Sequence, residues 1–231
     1  MGLFDSFKRK NTPPPAPSSP SMTATEVANQ LEKLGYFKYA NPDDIDHLKS
    51  EIGKDLVEEQ YFPLVEREKL LPGMHHVWDF IMDPKHFVLD GETLWEEGGV
   101  LASLNEMARL FEKMNIRMEL TDHLEEYDAA NQWVNHSGTI NGKKYTLFDK
   151  FKGYGWGEAA QRFADMINDQ LERQQSDERL FLIDGGNDGR AVFLTEEQYQ
   201  LINTFTKTHR ERPQKVEDWC LAMQVKRVPV Y

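Results

Sequence analysis

The sequence has little of what marks secreted, membrane-spanning or disulfide-rich proteins. Its 231 residues include a single cysteine, Cys220, so no disulfide can form within the chain. A lone cysteine fits a protein that stays in a reducing compartment. No run of about 18 apolar residues is present, and the first residues lack the apolar segment of a secretion signal. We therefore expect a cytoplasmic protein.

Positive charge is also scarce. Lys and Arg together number 27 against 39 Asp and Glu, which gives a net charge of −12. Residues 1–21 carry +2, so the remainder of the chain carries −14. Such an acidic surface repels nucleic-acid phosphates and favours a basic protein partner, although the same charge also serves solubility alone.

Composition divides the chain into three regions. The 39% hydrophobic content, with 13 Phe and 5 Trp, predicts a folded core. Residues 1–21 form a flexible basic tail and a Pro-rich linker, residues 22–70 an N-terminal helical region, and residues 71–231 an α+β domain. Within the tail, residues 1–10 combine three apolar side chains with a basic trio, which leaves weak peripheral membrane contact open.

The N-terminal region carries the signals of two amphipathic helices. Thr23 and Glu26 have the spacing of a capping box, and Gly35 is placed to end the first helix. Asn41 and Pro42 are typical of the N-cap and first position of a second helix. The pair forms either a small helical subdomain or the first layer of the main domain.

Hairpins and helices follow one another in the rest of the chain. Helical periodicity over residues 100–116 precedes an alternating stretch, 116–121, that predicts a strand. Asn141-Gly142 predicts a hairpin, and a long helix follows over residues 157–174. We therefore predict an α+β fold: an antiparallel sheet of about five strands covered by helices, preceded by the N-terminal helical pair and a disordered tail.

The stretch LFLIDGGNDGRAVFLT looks at first like a calcium loop. A loop beginning at Asp184 would place Gly186 where a side-chain oxygen is required and Thr195 where a bidentate Glu is required. The glycines instead suit a hairpin connection. Because both flanking strands are apolar on both faces, we expect this hairpin to lie inside the sheet with layers on each side. Asn187 and Asp188 at its tip are candidate partner contacts.

A group of histidines and acids offers one candidate metal site. His75 and Asp79 lie four residues apart, so both would face one side of a helix, and His86 follows within reach. Imidazole and carboxylate ligands suit zinc or iron. The spacing matches no HExxH or comparable motif, so we expect no metal or other cofactor and keep the three residues as candidates only.

A glycine-rich loop, Gly153–Gly157, offers a candidate phosphate site. A strand leads into it and a helix follows, so backbone amides could hold an anion. The GxGxG spacing fits no nucleotide motif, and Glu158 places a negative charge where a phosphate would bind. Tyr154 and Trp156 are alternatively partner-contacting anchors, or they pack into the core.

The most acidic stretch with an aromatic residue is Glu125–Asp128. Its members Glu125, Glu126, Tyr127 and Asp128 combine negative charge with a hydrophobic anchor. An acidic stretch of this kind usually lies at a solvent-exposed edge of the protein. It can also bind a basic cleft on a partner protein. We therefore include all four among the candidate partner-binding residues.

Nucleophilic catalysis has no candidate in the sequence. No GxSxG motif is present. Cys220 follows Glu217 and Asp218, whose negative charges raise the pKa of a thiol and oppose thiolate formation. We expect no catalytic residue.

These observations favour an interaction protein over an enzyme. We expect a cytosolic acidic module that binds a basic protein, of the inhibitor or immunity type, and no nucleic acid. The alternative is an enzyme with an unfamiliar site, either metal-dependent around His75, Asp79 and His86 or nucleotide-binding at Gly153–Gly157.

Overall fold

The computed structural model of the chain describes residues 22–70 and 77–230. The predicted tail, with the proposed membrane contact of residues 1–10, lies outside the described residues, as does His75. Within the described part, no helix combines the length and apolar character needed to cross a membrane.

Seven α-helices and eight strands make up the described ranges. The helices are α1 (Ala24–Lys33), α2 (Ile45–Lys54), α3 (Gly91–Trp95), α4 (Gly99–Lys113), α5 (Trp156–Arg173), α6 (Glu196–Phe205) and α7 (Val216–Met223). The strands are β1 (Glu66–Leu70), β2 (Val77–Ile81), β3 (His86–Val88), β4 (Leu120–Asp128), β5 (Trp133–Ile140), β6 (Lys143–Phe151), β7 (Glu178–Ile183) and β8 (Arg190–Thr195).

All strand pairs are antiparallel, which confirms the predicted α+β class. The strands form three sheets, β1–β2, β3–β8–β7 and β4–β5–β6, in place of one sheet of about five strands. The two predicted hairpins, β5–β6 and β7–β8, are both present but belong to different sheets. β3, which was not predicted, pairs with β8 and completes the second sheet.

The β7–β8 hairpin lies between two apolar layers, as predicted. One set of its alternating side chains packs against α1, α2 and α6: Phe181, Ile183, Val192 and Leu194. The other set packs against α4, α5, α7 and the β4–β5–β6 sheet: Leu180, Leu182, Ala191 and Phe193. The N-terminal helices therefore cover one face of this sheet.

The local capping and turn signals are confirmed. Thr23 and Glu26 form a reciprocal capping box at the start of α1, and Gly35 takes a left-handed conformation (φ 73°) beyond its end. Asn141 and Gly142 both have positive φ, 51° and 80°, in the tight turn between β5 and β6.

One local prediction is wrong. Residues 116–119 are not a strand, because β4 begins only at Leu120 and the preceding backbone bonds to side chains: Arg117 N–H donates to Gln174 Oε1, and Glu119 N–H donates to Asn141 Oδ1. Residues 77–81 pair with β1 in an antiparallel ladder, so Asp79 lies on a strand.

The contact between α1 and α2 requires a glycine. A Cβ atom on Gly53 would lie 2.4 Å from the carbonyl oxygen of Ala24 and 3.2 Å from Ala28 Cβ. Relief of this clash needs movement of one helix, and overpacking of this kind costs about 1–3 kcal/mol. The helix propensity gained by alanine, about 1 kcal/mol, offsets only part of it.

We expect Gly53→Ala to lower the free energy of unfolding, measured by urea denaturation. Ser50→Ala, on the exposed side of the same helix, is the matched control and should leave stability unchanged or slightly increase it. Equal midpoints for the two variants would contradict the close helix contact.

Candidate functional site

One end of the β4–β5–β6 sheet exposes two large aromatic side chains. Tyr127 is 64% exposed and Tyr154 is 86% exposed. The strand register aligns Tyr127 with Val134 and Val134 with Phe151, and Tyr154 follows three residues after Phe151. We call Tyr127, Trp133 and Tyr154 the aromatic end of the sheet. Trp156 is half-buried at the start of α5, with its ring 6.2 Å from that of Tyr154.

Charges of both signs surround the aromatic end. Glu126 is exposed, and its carboxylate accepts a hydrogen bond from Asn135 Nδ2 at 3.3 Å. The amines of Lys150 and Lys152 lie 5.5 and 5.8 Å from the centre of the Trp133 ring. Cation–π attraction orients these lysines across the tryptophan.

The Asp128 carboxylate closes the turn between β4 and β5. Its Oδ1 atom accepts hydrogen bonds from the backbone N–H groups of Ala130 and Asn131, both at 3.0 Å. Its Oδ2 atom accepts from Asn131 Nδ2 at 2.8 Å. Hydrogen bonds from Asn131 lower the pKa of Asp128, so the carboxylate stays ionised while it stabilises the turn.

Asn187 and Asp188 lie in a different part of the structure from the aromatic end. They are exposed in a short 3-10 turn, Gly186–Asp188, between β7 and β8. That hairpin belongs to the β3–β8–β7 sheet. The candidate partner-binding residues are therefore divided between two sheets.

Glu125 points away from this acidic surface and toward two histidines. Its side chain is only 17% exposed. Its Oε1 atom lies 3.1 Å from His136 Nε2 and 3.3 Å from His123 Nε2. The two Nε2 atoms are 3.0 Å apart. We call His123, Glu125 and His136 the His–Glu–His cluster.

The strand register explains why these three side chains meet. His123 and Glu125 are two residues apart on β4, so they share a face of the strand. His136 on β5 lies directly opposite Glu125. The second carboxylate oxygen, Oε2, accepts a hydrogen bond of 2.7 Å from the backbone N–H of Gly98 at the start of α4.

His136 is held as a neutral imidazole. Burial lowers its pKa to about 4, although the nearby Glu125 carboxylate acts in the opposite direction. The ring is 5% exposed and packs against Phe148, with centroids 6.5 Å apart. Phe148 in turn packs edge-on against Trp95. An imidazole that is neutral near pH 7 is in the form that binds metal ions.

The metal-site candidates from the sequence have a different geometry from the one expected. His75 lies outside the described residues, and Asp79 lies on β2 and not on a helix. His86 is buried on β3 with its ring stacked on Phe62, centroids 5.3 Å apart. Burial, with a smaller contribution from Arg190, lowers the pKa of His86 to about 3. Its ring therefore packs as a neutral core side chain.

The glycines of Gly153–Gly157 allow close packing at the start of α5. A Cβ atom on Gly155 would lie 2.6 Å from the Trp95 ring, and one on Gly157 would lie 2.5 Å from Val225. Both positions therefore need glycine for packing reasons alone. Phosphate binding by this loop stays a prediction.

Cys220 has the environment of an unreactive thiol. The side chain is buried in α7, and burial is the main cause that raises its pKa to about 11, with nearby carboxylates adding to the rise. Thiolate is the reactive form. The sequence-based expectation for the direction of this pKa agrees with the structure.

Comparisons with protein-family models, curated proteins and solved structures find no match to this chain.

Sequence reasoning missed His123 and His136 as candidate functional residues. The pattern His123-x-Glu125 has the period of a strand, and that signal was present in the sequence. The helical spacing of His75 and Asp79 drew attention to another part of the chain.

The buried His86 predicts a specific pH dependence of stability. An unfolded chain protonates this side chain near its ordinary pKa of 6.5, whereas the folded protein does so only near 3. The unfolded state therefore binds more protons as the pH falls below about 6.5, and stability decreases. Between pH 7 and pH 5 this group alone costs about 2 kcal/mol.

We expect His86→Phe to preserve the stacking on Phe62 and to reduce the loss of stability between pH 7 and pH 5. Urea denaturation at both pH values measures the difference. His47→Gln, on the exposed side of α2, controls for the removal of a histidine. An unchanged pH dependence in His86→Phe would show that folding does not lower the pKa of His86.

Proposed function

We propose that this chain is a protein-binding module, of the inhibitor or immunity type, that contacts a basic partner through the aromatic end of its β4–β5–β6 sheet. The observation that carries the proposal is the exposure of Tyr127 and Tyr154, 64% and 86%, at the same end of one sheet. Tyrosine is among the residues most enriched in binding hot spots.

The position of these side chains favours contact over mere solvation. Tyr127 is carried by a paired strand, and Tyr154 lies three residues beyond the end of another. A tyrosine has few rotatable bonds, so it loses little conformational entropy on binding. Trp133 between them adds apolar area at the same end, partly covered by Lys150 and Lys152.

The negative net charge of the chain supports a basic partner. The chain beyond residue 21 carries −14, and this field steers positively charged proteins toward it. The lysines at the aromatic end offset Glu126 and Asp128 locally, so attraction comes from the whole surface while the tyrosines anchor the complex. Complementary charge of this kind raises the association rate and is weakened by salt.

The test is affinity capture from cells that produce the protein, with the full chain as bait and quantitative mass spectrometry as readout. We expect a partner that is recovered at low salt, is lost at high salt, and falls about 10- to 30-fold with the double variant Tyr127→Ala/Tyr154→Ala. Leu221→Ala removes a side chain that is 80% exposed on α7 and is the matched control.

Binding of the purified partner then separates the outcomes. The dissociation constant should rise for the double tyrosine variant and stay unchanged for Leu221→Ala. If both variants recover the same proteins as wild type at every salt concentration, the aromatic end is not the binding surface. If no protein shows salt-sensitive recovery, the proposal of a basic partner is wrong.

A further inference from the structure

The His–Glu–His cluster has the dimensions of one face of a metal coordination shell. The three atoms, His123 Nε2, His136 Nε2 and Glu125 Oε1, are separated by 3.0, 3.1 and 3.3 Å. Zinc bonds of about 2.0–2.1 Å place the ligand atoms of a tetrahedral site about 3.3 Å apart, and those of an octahedral site about 2.9 Å apart. The observed triangle lies between these two values.

Hydrogen bonding within the cluster leaves one atom unsatisfied. The two histidine rings can share a proton between their Nε2 atoms, 3.0 Å apart. Glu125 Oε1 is buried, yet within the described residues it has no hydrogen-bond donor. A buried oxygen without a donor costs about 1–3 kcal/mol, and more when it is charged. A cation at the centre of the triangle would satisfy all three atoms.

The surrounding structure holds the ligand atoms in place. The Gly98 N–H bonds to Oε2 of Glu125 and so leaves Oε1 directed at the histidines. An outer hydrogen bond to a ligating carboxylate is typical of metal sites. Gly138 lies beside His123, where a Cβ atom would be 3.7 Å from the ring and 2.7 Å from Leu120. The glycine therefore leaves room for Leu120, and the His123 ring packs over it at ordinary van der Waals distance.

We propose that His123, Glu125 and His136 form a binding site for a divalent first-row transition metal of borderline softness, Zn²⁺ or Fe²⁺. Two imidazoles and one carboxylate are the ligands such ions prefer. The cluster contains no thiolate, which would favour softer ions, and too few oxygens for Ca²⁺.

Two of the three side chains of the cluster reach the surface. The side chains of His123 and Glu125 are 22% and 17% exposed, so the cluster is reached from the surface while His136 forms its buried side. Three protein ligands leave at least one coordination position for water or another small ligand. This inference is independent of the proposed protein-binding function, because it concerns different atoms and does not require a partner.

The test uses the purified full chain with any affinity tag removed and metals stripped by a chelator. We expect one Zn²⁺ per chain by calorimetry, and Co²⁺ should give the visible absorption of an ion with imidazole and carboxylate ligands. Fe²⁺ added without oxygen competes with Zn²⁺ and decides which ion is preferred. Failure of all three metals to bind stoichiometrically would overturn the proposal.

Matched variants locate the site. Glu125→Gln and Glu126→Gln remove the same charge from adjacent positions, but only Glu125 lies in the cluster. We expect at least 100-fold weaker Zn²⁺ binding for Glu125→Gln and His123→Gln, and wild-type binding for Glu126→Gln and the exposed His209→Gln. The glutamine in Glu125→Gln can still accept from Gly98, so folding should be retained; urea denaturation without metal checks this.

The double variant His75→Gln/His76→Gln tests the other neighbouring histidine pair in the sequence. Unchanged Zn²⁺ affinity in this variant supports the cluster as the site. Loss of binding in the double variant, with binding retained in Glu125→Gln and His123→Gln, would overturn the assignment. Zn²⁺ should also raise the unfolding midpoint of wild type and not that of His123→Gln, because a ligand stabilises only the folded state that binds it.

Discussion

The β7–β8 hairpin is the constraint on which the rest of the fold depends. Its strands are apolar on both faces, and neither face can be left in water without losing about 1.5–3 kcal/mol for each large side chain. Two layers are therefore required. The N-terminal helices and α6 cover one face, and α4, α5, α7 and the β4–β5–β6 sheet cover the other. The N-terminal helices and the β4–β5–β6 sheet therefore lie on opposite sides of the hairpin.

Burial of the hairpin also brings charged groups into the interior. Glu178 at the start of β7 and Lys85 just before β3 are both fully buried, and Lys85 Nζ lies 3.1 Å from Glu178 Oε1 and 2.8 Å from Gln198 Oε1. Burial lowers the pKa of Lys85, and the Glu178 carboxylate acts in the opposite direction. Glu178 Oε1 also lies 3.0 Å from Lys38 Nζ, so the buried carboxylate is paired with two lysines where β3, β7 and α6 meet.

Elements with local signals could be predicted from the sequence, and contacts between distant residues could not. The Thr23 and Thr195 capping boxes and the Asn141-Gly142 turn depend on neighbouring residues. The His–Glu–His cluster depends on the register of β4 against β5. The connecting turn lacks an Asn-Gly signal, and the ladder shifts between Thr121 and Leu124. A register shift of one residue exchanges the two faces of a strand.

The same dependence on register separates Glu125 from Glu126, which composition alone treats alike. Counted by charge, Glu125 and Glu126 are equivalent contributors to an acidic surface. In the pleat they face opposite sides of β4, so Glu126 lies in solvent beside Asn135 while Glu125 lies between two imidazoles. Its Oε2 atom accepts a hydrogen bond from the Gly98 N–H, and its Oε1 atom is buried beside the histidines and does not face solvent. Net charge counts Glu125 and Glu126 equally, although only Glu126 faces solvent. The carboxylates that a partner can contact therefore have to be identified from the positions of the residues on the strands.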